Sequence, residues 1–286
     1  MILLTGATGS IGVQLAPLLA LRKEPFRVLA RDAGKGRALG GEVVVGDLDD
    51  AQSVAEAMVG VDRVFLNAGG AVPAPGEQPM VRQQKAVIDA ARAAGVSHVV
   101  KVSVWGARPG GKLAEGAHWE IERYLKASGL PWTMLRPSGY MQNFVTGAGA
   151  FSDDGDLLGA YRDGRVAYID CADIAACAAV CLAEGTGVGE TLLLSGPEAL
   201  SHDEIAARLT QALGRPVRYV DLPPEVFAAR LAERGLPTAF AEDVAALFAE
   251  VAVGALASPS TTVRDLTGRQ PRSFDEFLER HRRLEL

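Results

Sequence analysis

MILLTGATGSIGVQL, Met1–Leu15, decides the fold. An apolar run, Ile2–Leu4, stops at Thr5, and glycines follow at Gly6, Gly9 and Gly12 while Ile11, Val13 and Leu15 open a helical spacing. A strand that turns through a glycine-rich loop into a helix is the setting in which a GxxGxxG pattern carries a mechanism. Gly6 permits the tight turn, Gly9 lets a pyrophosphate approach the backbone, and Gly12 lets the helix pack on the sheet. Unpaired amides and the dipole at the helix N-terminus favour the phosphates, and Thr8 and Ser10 offer hydroxyls to the same oxygens. Gly6, Thr8, Gly9, Ser10, Ile11 and Gly12 are therefore the expected dinucleotide-binding loop.

Outward from this loop the first half of the chain alternates apolar runs with amphipathic segments. Strands are expected at Ile2–Leu4, Arg27–Ala30, Glu42–Val45, Arg63–Leu66, His98–Val102 and Thr133–Leu135, and helices at Ile11–Leu21, Gln52–Met58, Val81–Ala94 and Trp119–Ala127. AMVGVDRVFL, AAGVSHVVKV and ASGLPWTML each put a glycine (Gly60, Gly95, Gly129) between a helix and the next strand, where a left-handed cap is needed. Repeated βα units with short connections predict an α/β fold, a Rossmann-type doubly wound parallel sheet. Residues 1–150 are expected to be the NAD(P)-binding domain. Residues 151–286 are expected to form a smaller, mostly helical substrate-side lobe, interleaved with the first because no Pro/Ser-rich linker separates them. There Arg165–Ile169 reads as a strand, Cys171–Leu182 as a helix and Thr191–Leu194 as a strand. SHDE (Ser201–Glu204) and SFDE (Ser273–Glu276) are capping boxes that open late helices.

The end of the second expected strand bears on which dinucleotide binds. A carboxylate there accepts from the ribose hydroxyls of NAD, whereas a basic residue accommodates the 2′-phosphate of NADP. FRVLARDAGKG offers Arg31 and, four residues on, Lys35, which selects NADPH; the adjacent Asp32 keeps NADH open. Asp47 and Leu48 of GDLDD are placed to flank the adenine, and Asn67 and Ala68 to meet the ribose and nicotinamide end.

Composition excludes several other classes. A net charge of −6, with 35 acidic and 29 basic residues and no long run of either sign, gives no attraction to nucleic acid or anionic membranes. The N-terminal apolar run is too short for a signal peptide or a membrane span. Three cysteines, none in a CxxC pair, suggest neither disulfides nor a metal site, and fit the reducing cytoplasm. A small-molecule substrate is expected, with a homo-oligomer left open.

GATGSIG, ARD, GDLDD, AAGVSHVVKVS and HWEIERYLKASGLPWTMLRPSGYMQNF, with TGRQPRSFDEFLERH near the end, together resemble the NmrA-like branch of the atypical short-chain dehydrogenase/reductases. Within that branch the likeness is to the NADPH-dependent quinone reductases. The resemblance implies NADPH in the first lobe and either reductase chemistry or cofactor-binding regulation without turnover. In the wider superfamily a serine and the tyrosine and lysine of YxxxK perform reduction. The resemblance carries the serine onto Ser103, places Ala114 where the tyrosine would be, and puts His118 at the lysine position.

His118 is thereby a candidate ribose contact or proton donor, its ordinary pKa lying near neutrality. A plain helical pairing of His118 with Glu122 one turn along is the competing reading. Trp105, Tyr140, Met141, Asn143 and Phe144 are expected to offer flat surfaces to a ring substrate, with Tyr140 a further candidate proton donor; each also suits a core. The leading function is hydride transfer from NADPH to a quinone or similar conjugated carbonyl. The alternatives are an NADP(H)-binding redox sensor, or a tailoring reductase or isomerase acting on an aromatic polyketide-like compound.

Overall fold

Strands whose residues are apolar on both faces must be covered twice, and the chain supplies the covering helices in alternation. The computed structural model describes residues 1–74, 76–145 and 151–281. Its first half runs β1 (Ile2–Leu4), α1 (Gly12–Leu21), β2 (Phe26–Ala30), α2 (Ala33–Arg37), β3 (Glu42–Val45), α3 (Ala51–Met58), β4 (Arg63–Leu66), α4 (Pro79–Ala93), β5 (His98–Val102), α5 (Ala114–Ala127) and β6 (Trp132–Pro137). There follow β7 (Leu157–Gly159), α6 (Cys171–Glu184), β8 (Thr191–Leu194), α7 (His202–Leu213), β9 (Tyr219–Asp221), α8 (Pro224–Glu233), α9 (Thr238–Val251), α10 (Thr262–Thr267) and α11 (Phe274–Arg280). Gly60, Gly95 and Gly129 have φ of 70°, 69° and 80°, the left-handed turn from helix into strand.

The main sheet has the order β3-β2-β1-β4-β5-β6-β8, every pair parallel. This is the doubly wound Rossmann-type fold. The order reverses at β1, and ligands of such sheets bind where the order reverses, beyond the strands' carboxyl ends. On one face Leu3, Val64, Leu66, Val99 and Met134 pack with Val54, Met58, Ile88, Ile121 and Leu125 from α3, α4 and α5. Packed against α1, α6 carries Cys171, Cys177 and Cys181, all buried; burial pushes the Cys181 thiol up to about 12 and Cys177 higher still. They act as small hydrophobic residues.

Contacts divide the chain into two units, and not at one cut near residue 150, a residue outside the described ones. The first unit comprises Met1–Pro137, Cys171–Leu194 and Thr262–Arg269. Its later segments return because β8 extends the sheet beside β6 and α6 covers it. The second unit comprises Ser138–Asp170, Ser195–Thr261 and Gln270–Leu286. It holds the two-stranded β7–β9 sheet and a core of Met141, Phe144, Leu157, Tyr168, Ile205 and Phe274.

Both capping boxes open helices as expected, Ser201 with Glu204 on α7 and Ser273 with Glu276 on α11. The expected strand Arg165–Ile169 does not form. Val166 bridges Leu200, the Ala167 amide donates to Leu256, and Ile169 bridges Tyr140, so the segment is tied to three different stretches and builds no ladder with any. Among the described residues no helix is long and apolar enough to cross a membrane.

Candidate active site at the carboxyl edge of the sheet

The glycine loop is built for close approach. A Cβ on Gly12 would lie 2.3 Å from the Ala7 carbonyl oxygen, so only glycine lets α1 start against the preceding turn. Gly6 has φ of 60°, and its Cβ would meet the Asn67 carbonyl at 2.9 Å. Over Gly9 the space is open: a Cβ there would touch only the Gly6 oxygen, at 3.3 Å. Thr8, Gly9 and Ser10 are exposed, and among the described residues the amides of Ser10 and Ile11 donate to no backbone carbonyl. With no acidic residue in the first turn of α1, the loop fits a pyrophosphate.

At the next strand end the carboxylate and the cations are separated by role. Asp32 is the N-cap of α2, and its Oδ1 accepts from the amides of Gly34 at 2.7 Å and Lys35 at 3.1 Å, which holds its pKa below the usual value. Arg31 and Lys35 are exposed on either side. Asp47 is likewise engaged locally, accepting from the Asp49 amide, while its own amide donates to Ser53. Leu48 is half-buried beside it. Asn67 and Ala68, half-buried, follow β4, where Thr5 Oγ1 ties the ends of β1 and β4 together by accepting from the Asn67 amide at 2.9 Å.

Beneath β5 and β6 lies a buried polar cluster. Val99, Lys101 and Ser103 alternate onto the face covered by α5, which presents His118 and Glu122 one turn apart. The Ser103 hydroxyl donates to Glu122 Oε1 at 2.5 Å, and Arg136 grips both Glu122 oxygens, at 2.9 and 2.6 Å. Glu122 is fully buried, so this bidentate pair is what makes its charge tolerable there. Lys101, also fully buried, donates to the Val102 carbonyl at 2.9 Å and stands 2.9 Å from His118 Nδ1. Burial drives the Lys101 pKa down to about 7, against the pull of Glu122 and with the push of Arg136. Burial also holds the His118 pKa well below its ordinary value, helped by Lys101 and Arg136. His118 is therefore neutral near neutrality.

The helical pairing of His118 with Glu122 is replaced by these contacts, because both Glu122 oxygens are taken by Ser103 and Arg136. Ser103 and His118 belong to one cluster without bonding each other directly. Ala114, where a tyrosine would act, is the first residue of α5. Trp105 is half-buried, with its amide on the Pro137 carbonyl. In the second unit, Met141 and Phe144 face the core, Phe144 edge-on to Tyr168 at 4.9 Å, which removes them from an open surface. Tyr140 is half-buried and Asn143 exposed in the same short segment. Sequence reasoning missed Lys101, Glu122 as an ion-pair partner, and Arg136. The available signal was the lysine inside HVVKV, an ionisable group in a strand buried throughout.

A model of the NmrA-like family matches residues 1–278. The chain is 36% identical over 286 residues to an NAD(P)H azoreductase of Xenophilus azovorans, covering 98% of each. The structure of an NADPH-dependent quinone oxidoreductase of Escherichia coli complexed with NADPH superposes with a TM-score of 0.85 at 31% identity, over 98% of this chain and 99% of that one. Triphenylmethane reductase of Citrobacter sp., complexed with NADP(H), gives 0.82 at 26% identity over 98% and 99%. With the family model spanning nearly the whole chain and relatives above 30% identity matched from end to end, this protein belongs to the NmrA-like family.

Proposed function

We propose that the protein is an NADPH-dependent oxidoreductase of the cytoplasm that reduces a quinone or similar conjugated, ring-containing electrophile. When bound, NADPH supplies the hydride. The loop Gly6–Gly12 would hold the pyrophosphate, and Arg31 with Lys35 the 2′-phosphate; Asp32 has one oxygen, Oδ1, engaged in its helix cap. Asp47, Leu48, Asn67 and Ala68 would line the rest of the cofactor's course. Trp105, Tyr140 and Asn143 are the candidates for substrate contact.

The observation that carries the substrate class is the Ser103–Glu122 hydrogen bond. With its proton committed to a buried carboxylate, Ser103 offers only lone pairs to a ligand, and Ala114 offers no phenol. The superfamily's usual donor set is thus missing at both positions. A conjugated acceptor tolerates this, because its reduction delivers charge to its own heteroatoms, where delocalisation stabilises it until solvent protonates it. Relatives named for azo, quinone and triphenylmethane reduction support the same class.

The test follows NADPH absorbance against a panel of quinones, an azo dye and a triphenylmethane dye. Turnover on at least one is expected, with His118→Ala lowering kcat by roughly 100-fold through loss of a donor in the site. A loss of that size in Tyr140→Phe instead would move the hydrogen-bond donor to Tyr140. No turnover on any acceptor despite tight NADPH binding would overturn the reductase reading in favour of a cofactor-binding regulator.

A further inference from the structure

Lys101 lies in the middle of the apolar sheet, and the hydride chemistry above gives it no role. A lysine is expensive to bury, and this one is fully enclosed. Among the described residues it has two hydrogen-bond partners: the Val102 carbonyl, which can only accept, and His118 Nδ1, each at 2.9 Å. No carboxylate among the described residues pairs with it directly, and both oxygens of Glu122 are held by Ser103 and Arg136. Below its pKa of about 7 Lys101 is an ammonium, which has donors only. Facing it, His118 Nδ1 must accept, which leaves the ring proton on Nε2. Among the described residues Nε2 has no protein partner, and it is absent from the buried unpaired atoms, so the small exposure of the residue, 7%, includes that nitrogen.

We infer that Lys101 is a positioning residue that locks His118 as a neutral imidazole with Nδ1 accepting and Nε2–H turned outward as a hydrogen-bond donor to a ligand oxygen. The ring nitrogen that bears the proton is set by the partner of the other nitrogen. The geometry makes a fixed donor out of a side chain that otherwise exchanges between two tautomers. It also explains a lysine where an apolar residue would pack at lower cost. The ligand oxygen belongs either to the cofactor's ribose or carboxamide or to the electron acceptor. The outward role rests on the reductase reading; the tautomer does not.

Long-range proton–nitrogen correlation spectra of the nitrogen-15-labelled full chain at about pH 6, where Lys101 is an ammonium and His118 is still neutral, read the tautomer directly. Of the four histidines, His118 is assigned by its loss in His118→Ala. The expected spectrum shows Nε2 protonated and Nδ1 bare. In Lys101→Met the signals are expected to shift towards a tautomer mixture, while Lys101→Gln, which keeps a donor, retains the wild-type pattern. A wild-type ring protonated at Nδ1, or an unchanged pattern in folded Lys101→Met, would overturn the inference. The first of these needs no variant, so a Lys101→Met chain that fails to fold leaves the inference open to refutation. Adding NADP+ alone, then with a quinone, locates the oxygen: a shift of the Nε2 proton at the first step assigns it to the cofactor, at the second to the acceptor. No shift at either step would overturn the outward donor. A correct tautomer in a protein that reduces nothing refutes the reductase reading alone.

Discussion

His118 in the first unit and His202 in the second are both buried imidazoles held neutral, by opposite means. His118 sits among charges, against Lys101 and near the Glu122–Arg136 pair, and keeps an exposed edge. His202 lies parallel to Tyr161 with ring centroids 3.6 Å apart, meets the Tyr168 hydroxyl at 3.0 Å through Nε2, and leaves Nδ1 buried without a partner. Burial drives its pKa down to about 3. A polar network with one open side is what a chemical site requires, whereas a closed aromatic stack is packing. In the sequence the two differ only in setting, His118 at the position where the resemblance puts the lysine and His202 inside the SHDE capping box, and nothing there hints that both are neutral.

The contrast breaks most visibly at Glu122. Removing it leaves the Arg136 charge half-buried and unpaired, and breaking a buried pair costs about 3–5 kcal/mol. Glu122→Ala is expected to lower the thermal midpoint by many degrees, while Glu122→Gln, which keeps the shape, costs less; calorimetry of both variants checks this. At His202 the loss is one of packing. His202→Ala is expected to cost roughly 2–3 kcal/mol, below the range of larger aromatic truncations, and to leave NADPH affinity unchanged when both are measured on the same sample. A large loss of cofactor affinity there would dissolve the distinction between the two histidines.

Acid and base sharpen the contrast further. The unfolded His202 binds its proton below the ordinary value of 6.5, the folded one only near 3, so this contribution to stability is complete above 6.5 and declines as pH falls towards 3. One such group contributes about 1.4 kcal/mol per pH unit across that window. His202→Phe is expected to flatten the acid limb of denaturant-derived stability by about that slope, leaving the parts due to His118, His98 and the carboxylates held below their usual range. Lys101 acts in a different window, because the unfolded side chain stays protonated up to 10.5 and the folded one only up to about 7. Its contribution is complete above 10.5 and is lost as pH falls to 7, so Lys101→Met should remove a rise in stability on the alkaline side. The smallest effect on stability is expected at exposed Arg31. Arg31→Ser should change it by less than about 0.5 kcal/mol while cutting the preference for NADPH over NADH in paired binding titrations.

What was legible in the sequence is what local chemistry controls. The glycine loop, most strand cores and both capping boxes depend on residues a few positions apart, so spacing alone revealed them. The Arg165–Ile169 segment was misread because its apolar character serves three separate partners. Interleaving was expected, but not that α6 and β8 are the segments that rejoin the sheet, because pairing with β6 is a contact across more than fifty residues.

The sequence by itself determined a glycine-rich turn between strand and helix on a parallel sheet, a basic residue, Arg31, just after the second strand, and an alanine, Ala114, where the resemblance leads one to expect a tyrosine. Only the tertiary structure decided that Asp32 is occupied as a helix cap, that Ser103 has committed its proton to Glu122, and that Lys101 faces His118. The reason is physical: a motif fixes which groups are present, but protonation state and hydrogen-bond direction depend on burial and on partners brought together from β5, α5 and β6.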